Sequence, residues 1–349
     1  MKSQRNPDHF LFPFKAGFNI YGLRVEIETD SFPIIELFLE DLETFQKKLP
    51  EAPPWRNPIK IQIRSFPDNS QERARCSLFS KEWRLLSQKP LSPPRAVDGK
   101  ERLMVCHYGK GLIKTVTFLD QGLVQSAVAA EPSLLPDPAF TFCLIQPLSV
   151  WLKSRGLFFI HAGCVARRGR GILFIGPPKA GKSTLTTCAV SGGFRFLGDD
   201  QPSLSLRNGR LRVHAFPRRA RLDRNVAAHF RELKPPLSSF EGERLVFPIE
   251  RFWPGCVAVS CQPHRLIFPR FLRGGRLHLT RLNPTQAFSR LLHNEHFTWY
   301  RDPSLNELSL HHLTLWERLV NQAPAYELSY DMQDIPRMPL LFDKILEGP

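Results

Sequence analysis

Hydrophobic and polar positions alternate early in the chain in short bursts. In residues 18–28 (FNIYGLRVEIE), Leu23, Val25 and Ile27 occupy every second position, which predicts a strand with one face buried. Asp30 or Ser31 then caps a helix with Pro33 in its first turn. Ile34, Ile35, Leu37, Phe38, Leu42 and Phe45 keep helical spacing as far as residue 48. A proline-rich link spans 50–58, after which residues 59–65 (IKIQIRS) alternate like a strand. Residues 103–108 and 112–119 read as a hairpin around Gly109, Lys110 and Gly111. No reactive cluster marks these elements. They predict a small N-terminal α+β domain, residues 1–138, for partner recognition or assembly.

Residues 131–138 (EPSLLPDP) hold three prolines and cannot continue a regular element, so the domain boundary is placed there. Residues 139–155 then predict a helix, bent or started afresh at Pro147. From residue 157 the pattern changes to short, nearly all-apolar runs separated by glycines: LFFI (157–160), GILFI (171–175) and FRFL (194–197). Such runs are strands covered on both faces in a layered α/β domain. Helices are expected at 284–294, 303–321 and 336–346, with a strand at 325–330. The second domain is therefore 139–349, and the fold class is α/β.

Composition narrows the function classes. The chain has 349 residues, of which 42% are apolar and 23% charged, as in globular proteins of two domains. No apolar run reaches the length of a membrane-spanning helix, so no membrane partner is expected. The opening MKSQRNPDHF lacks the apolar stretch of a secretory signal. The cysteines number seven and contain no C-x-x-C pair, which reads as buried thiols in a reducing compartment and a cytoplasmic protein.

The net charge of +15 is uneven. Residues 1–138 hold 19 basic and 17 acidic side chains, whereas 207–281 alone hold 16 and 5, and 15 of those 16 are Arg. Arg forks onto phosphate and carboxylate, so this stretch is either a solvated surface or a wall facing an anionic ligand or partner. Nucleic acid is not expected, because no helix-turn-helix, zinc-finger spacing or RNP-like aromatic motif accompanies the charge.

The most specific pattern is Gly176, Pro177, Pro178, Lys179, Ala180, Gly181, Lys182 and Ser183, which fits the phosphate-loop motif G-x-x-x-x-G-K-[ST]. The run 171–175 supplies the strand before it. Residues 183–190 supply the helix after it, closed by Gly192 or Gly193. In this arrangement backbone N–H groups and the helix dipole face phosphate oxygens. Lys182 reaches the β- and γ-phosphates and Ser183 offers its hydroxyl to Mg²⁺. After the strand 194–197 and Gly198 come Asp199 and Asp200. Two carboxylates at a strand end beside such a loop suit metal chemistry: one can hold Mg²⁺ while the other deprotonates a hydroxyl nucleophile. His161, at the end of the run 157–160, is either a core residue or a neighbour of the phosphate site. Arg218, Arg219 and Arg221 are candidates for holding a transferred phosphoryl group or an acidic acceptor.

His161, the glycines at 169 and 171, the loop GPPKAGKST that includes Thr184, and the pair at 199–200 together resemble the catalytic core of HPr kinase/phosphorylase, which shares its nucleotide-binding core with the ATP-dependent phosphoenolpyruvate carboxykinases. His161 stands 15 residues before Gly176, and Asp199 stands 17 after Lys182, with no insertion. The resemblance covers residues 157–206. It implies an HPr kinase-like P-loop core that binds ATP and Mg²⁺. In it Asp199 is the general base, Asp200 is the carboxylate nearer the metal with Ser183, and His161 orients Asp199. Residues 213–222 (VHAFPRRARL) lack the Gly-rich, Glu-containing signature of HPr kinases. The resemblance is therefore to the broader HPr kinase-like set, some members of which are associated with peptide-modification clusters. The implied activity is transfer of a phosphoryl group to a Ser or Thr hydroxyl of a protein or peptide. The alternative is a non-catalytic nucleotide-binding adaptor or sensor, which Pro177 and Pro178 favour. Related enzymes often assemble through this domain, so a homo-oligomer is compatible with it.

Overall fold

Where the apolar pattern of residues 18–28 suggests one strand, the chain turns back on itself. In the computed structural model, β1 (Phe14–Ile20) and β2 (Leu23–Thr29) form an antiparallel hairpin. Tyr21 and Gly22 make the turn, both at positive φ (52° and 83°), which is the backbone of the tight turns that match strand twist. The structure describes residues 12–43, 45, 58–65, 95–96, 101–108, 111–129, 140–233, 239–241, 244–294 and 306–348. Among these it is a mixed α/β protein with three sheets and eight α-helices. The expected helix residues at 44 and 46–48, the link at 50–57, the boundary stretch 131–138 and the helix start at 303–305 lie outside the described residues.

The chain divides into a first unit, Met1–Ser154 with Thr298–Asn306, and a second, Arg155–Phe297 with Glu307–Pro349. In the first, α1 (Phe32–Asp41) follows β2. A mixed sheet then takes in β3 (Ile59–Ser65), β4 (Arg95–Ala96), β5 (Glu101–Tyr108), β6 (Gly111–Phe118) and β7 (Leu123–Ala129). The order is β1-β2-β3-β7-β6-β5-β4, with β2, β3 and β7 parallel. A π-helical turn at Phe140–Ile145 runs into α2 (Gln146–Lys153), with Pro147 in its first turn. The sequence assigns this helical segment to the second domain. It lies instead with the first unit, because the π-helical turn packs on β3, β6 and β7.

The second unit continues with β8 (Phe158–Phe159), β9 (Ala162–Arg167), β10 (Arg170–Ile175), α3 (Lys182–Ser191), β11 (Arg195–Gly198), β12 (Ser203–Arg207), β13 (Arg210–His214), β14 (Ala220–Asp223), α4 (Arg224–Ala227), β15 (Ser239–Glu241), β16 (Arg244–Phe247) and α5 (Ile249–Phe252). It ends with β17 (Ser260–Phe271), β18 (His278–Leu282), α6 (Pro284–Asn294), α7 (Asn306–Gln322), β19 (Ala325–Tyr330) and α8 (Met338–Glu347). Alternate residues of β10 serve two cores, which is why its sequence is apolar throughout. Ile172 and Phe174 pack with Leu185 of α3 and Phe342 of α8. Leu173 and Ile175 pack with Leu291 of α6 and Trp316 and Leu319 of α7.

The antiparallel neighbour of β10 is β9, not the run 157–160 that the apolar pattern singles out. The two-residue β8 pairs with β12 instead. β17 and β19 run parallel to β10, while β11 is antiparallel to β9 and so runs with β10. The carboxyl ends of β10, β11, β17 and β19 thus lie along one edge, together with the start of β9. In open α/β sheets that edge is where ligands bind.

Candidate functional site

The loop 176–181 leaves β10 at this edge and delivers α3. Gly181 caps the helix in the left-handed region, with φ of 98°. Ala180 N–H donates back to the Pro177 carbonyl at 3.1 Å, closing the turn. Lys182 is buried at 7% exposure, and its ammonium donates to the carbonyls of Gly176 (2.7 Å) and Pro177 (3.2 Å). Its charge is therefore held at the mouth of the loop. Pro177, Pro178 and Lys179 are exposed along the rim. The proline pair contributes no N–H, so the donors available to an anion come from residue 179 onward and from the first turn of α3.

Strand register brings the acids to this loop. Ala162 pairs with Ile175, and its N–H donates to the Asp200 carbonyl at 3.2 Å, so His161, Gly176 and Asp200 meet at one corner. His161 Nε2 donates to Asp200 Oδ1 at 3.1 Å. The Ser183 hydroxyl donates to Asp199. Burial pushes the Asp199 carboxyl up to about 7. Asp200 adds to that rise, and Ser183, Lys182 and Arg221 oppose it. Burial works the same way on Asp200, but His161, Arg218 and Lys182 outweigh it and hold that carboxyl well below the usual range. Adjacent carboxylates are thus separated in protonation behaviour by their surroundings.

The partners differ from those the resemblance implies. His161 pairs with Asp200 rather than Asp199, and Ser183 bonds Asp199 rather than Asp200. The physical reason is that consecutive side chains leaving a strand point to opposite sides. The bond from Ala162 draws residue 200 toward β9, which leaves Asp199 facing α3.

Two of the candidate arginines reach the pair. The Phe216 carbonyl passes over Gly198 so closely that a Cβ there would stand 3.0 Å from it. This crossing carries Arg218, buried at 7% exposure, to Asp200. β14 then sets the Arg221 charge beside Asp199. Arg219 is partly buried.

One residue at the loop carries no motif. Tyr330, the last residue of β19, is 1% exposed, and its hydroxyl lies against Gly181. No local pattern marks it, because β17 and β19 bring it there from far along the chain. His312 is buried with its ring against Phe158 (5.0 Å) and Trp316 (4.5 Å), while His311 is exposed. Among the described residues no group of three or more His, Cys, Asp or Glu could hold a metal ion. Cys143, Cys164, Cys188 and Cys261 are buried thiols that form no disulfide, and Cys256 is a partly buried one. Burial pushes Cys188 up to about 12, so it stays a thiol. No described helix is long and apolar enough to cross a membrane.

No family model matches the chain, and no curated protein matches it. Among solved structures, that of the Hpr(Ser) kinase/phosphatase from Coxiella burnetii is similar over 54% of this chain and 92% of its own, with 12% sequence identity and a TM-score of 0.29. A likeness at that TM-score carries no argument about the site.

Proposed function

We propose that the second unit binds ATP with Mg²⁺ and transfers the γ-phosphoryl group to a Ser or Thr hydroxyl of a protein or peptide. One observation carries this reading. Beside a loop of phosphate-binding pattern stand two adjacent carboxylates, one pushed up to about 7 and the other held ionised. A base matched to neutral pH next to a permanent anion is the division of labour that hydroxyl activation needs.

Asp199 Oδ1 is buried with no hydrogen-bond partner, while the carboxyl also engages Ser183. An orphaned acceptor among hydroxyl and carboxylate oxygens fits a hard cation. Ser183 with Asp199 and Asp200 would hold Mg²⁺, which when bound supplies charge neutralisation on the phosphates. Asp199 takes the proton of the acceptor hydroxyl as its oxygen bonds to the γ-phosphorus and the bond to the ADP oxygen breaks. Lys182 leaves the loop carbonyls for the phosphates, and Arg218 and Arg221 offset the equatorial charge. His161 orients Asp200 and keeps it ionised.

A second reading, a nucleotide-binding adaptor or sensor without transfer, is favoured by Pro177 and Pro178, which remove two N–H donors from the cradle. Transfer of label from γ-labelled ATP to Ser- or Thr-containing proteins and peptides separates the two. The kinase reading expects transfer that Asp199→Asn abolishes while ATP binding persists. Intact binding without transfer to any acceptor leaves the adaptor.

A further inference from the structure

The motif glycine at 181 has an unusual neighbour. A Cβ at Gly181 would stand 1.8 Å from Tyr330 Oη and 3.0 Å from the carbon that bears it. The phenol hydroxyl therefore fills the space a side chain would take, at the residue that turns the loop into α3. The same hydroxyl shares a hydrogen bond with Thr184 in the first turn of that helix. Burial pushes Tyr330 up from its ordinary value, so it is a neutral phenol throughout the working pH range.

Its neighbours hold it in place. Leu272 N–H donates to the Tyr330 carbonyl at 2.9 Å, and the Phe271 ring meets the Tyr330 ring edge-on at 5.7 Å. The next residue, Asp331, accepts from Gly274 N–H (2.8 Å) and Met332 N–H (2.6 Å), while Asp334 Oδ2 accepts from Asp331 N–H (2.9 Å). That reciprocal cap starts the 3₁₀ turn Met332–Arg337, which leads into α8. Side chains that preorganise a site are locked in this way by their own neighbours.

We infer that Tyr330 is a positioning residue for the phosphate loop: through Gly181 and Thr184 it fixes the direction in which the first N–H groups of α3 point. The inference rests on the nucleotide reading above for its functional consequence, but its structural half stands alone. A tyrosine that only filled the core would act on global stability through its ring, and that ring survives in Tyr330→Phe.

Hydrogen exchange on the nucleotide-free protein and titration with Mg-ATP test it together, on wild type, Tyr330→Phe, Thr184→Val and the double variant. The expected result is faster exchange at amides 181–184 in Tyr330→Phe, with β10 amides unchanged, and a rise in the Mg-ATP Kd of roughly five- to tenfold, the scale of one lost hydrogen bond. The double variant should bind no more weakly than the weaker single, since both remove the same bond. Unchanged exchange at 181–184, or additive losses in the double variant, overturns the inference. Faster exchange in a protein whose wild type binds no Mg-ATP upholds the positioning role and removes the nucleotide reading instead.

Discussion

Asp199 and Asp200 are chemically identical neighbours, yet folding treats them oppositely. The Asp199 carboxyl goes from an ordinary 3.8 to about 7, so between those values the folded protein holds a proton that the unfolded chain has released. Its contribution is fully favourable below the ordinary value and is lost as pH rises through 7. Asp200 is shifted down, so its contribution is present above the ordinary value and is lost as pH falls. In EDTA, Asp199→Asn should raise the thermal midpoint at pH 8 by roughly 3–8 °C and change it little at pH 4. Asp200→Asn should lower the midpoint at pH 8. A midpoint at pH 8 that falls for Asp199→Asn would contradict the burial argument. The presence of an acid pair here is legible from spacing alone, 17 residues after Lys182. Which acid meets His161 is not, because that depends on the side of β11 from which each side chain leaves.

At the scale of elements, small residues decide how α3 lies on the sheet. A Cβ at Gly163 in β9 would stand 2.2 Å from Thr186 Oγ1, the hydroxyl that donates to the Lys182 carbonyl at 2.9 Å. Gly163→Ala should therefore push the helix outward and destabilise the protein by about 1–3 kcal/mol, read as a lower midpoint in urea. An unchanged midpoint would show that Thr186 turns aside freely. The same smallness explains why β9 is hard to read in the sequence. Its residues AGCVAR lack the bulky β-branched run that marks GILFI, and the more apolar LFFI just upstream draws attention to a strand of two residues. The loop, α3, α6 and β19 were readable, because their periodicity and end signals are local. The hairpin at Tyr21 and Gly22 was hidden because the alternation continues through the turn.

Across the whole molecule, the basic excess has several separate uses. Arg265, buried at 3% exposure, donates to the Ile345 carbonyl at 2.8 Å and to that of Gly348, holding the end of α8. Arg218 and Arg221 face the acid pair, and Arg270 pairs with Glu327 at 3.7 Å. The charge of 207–281 is thus divided between structural caps, ion pairs and the candidate site, an allocation that composition could not reveal. The central claim is that the loop between β10 and α3 is a nucleotide site whose affinity depends on one ammonium group. Isothermal titration of Mg-ATP into the full chain and into Lys182→Ala tests it most directly. Binding by wild type and a Kd about 10- to 100-fold weaker in the variant, the scale of lost charge-assisted hydrogen bonds, is the predicted result. No binding by wild type, or equal binding by both proteins, would contradict it.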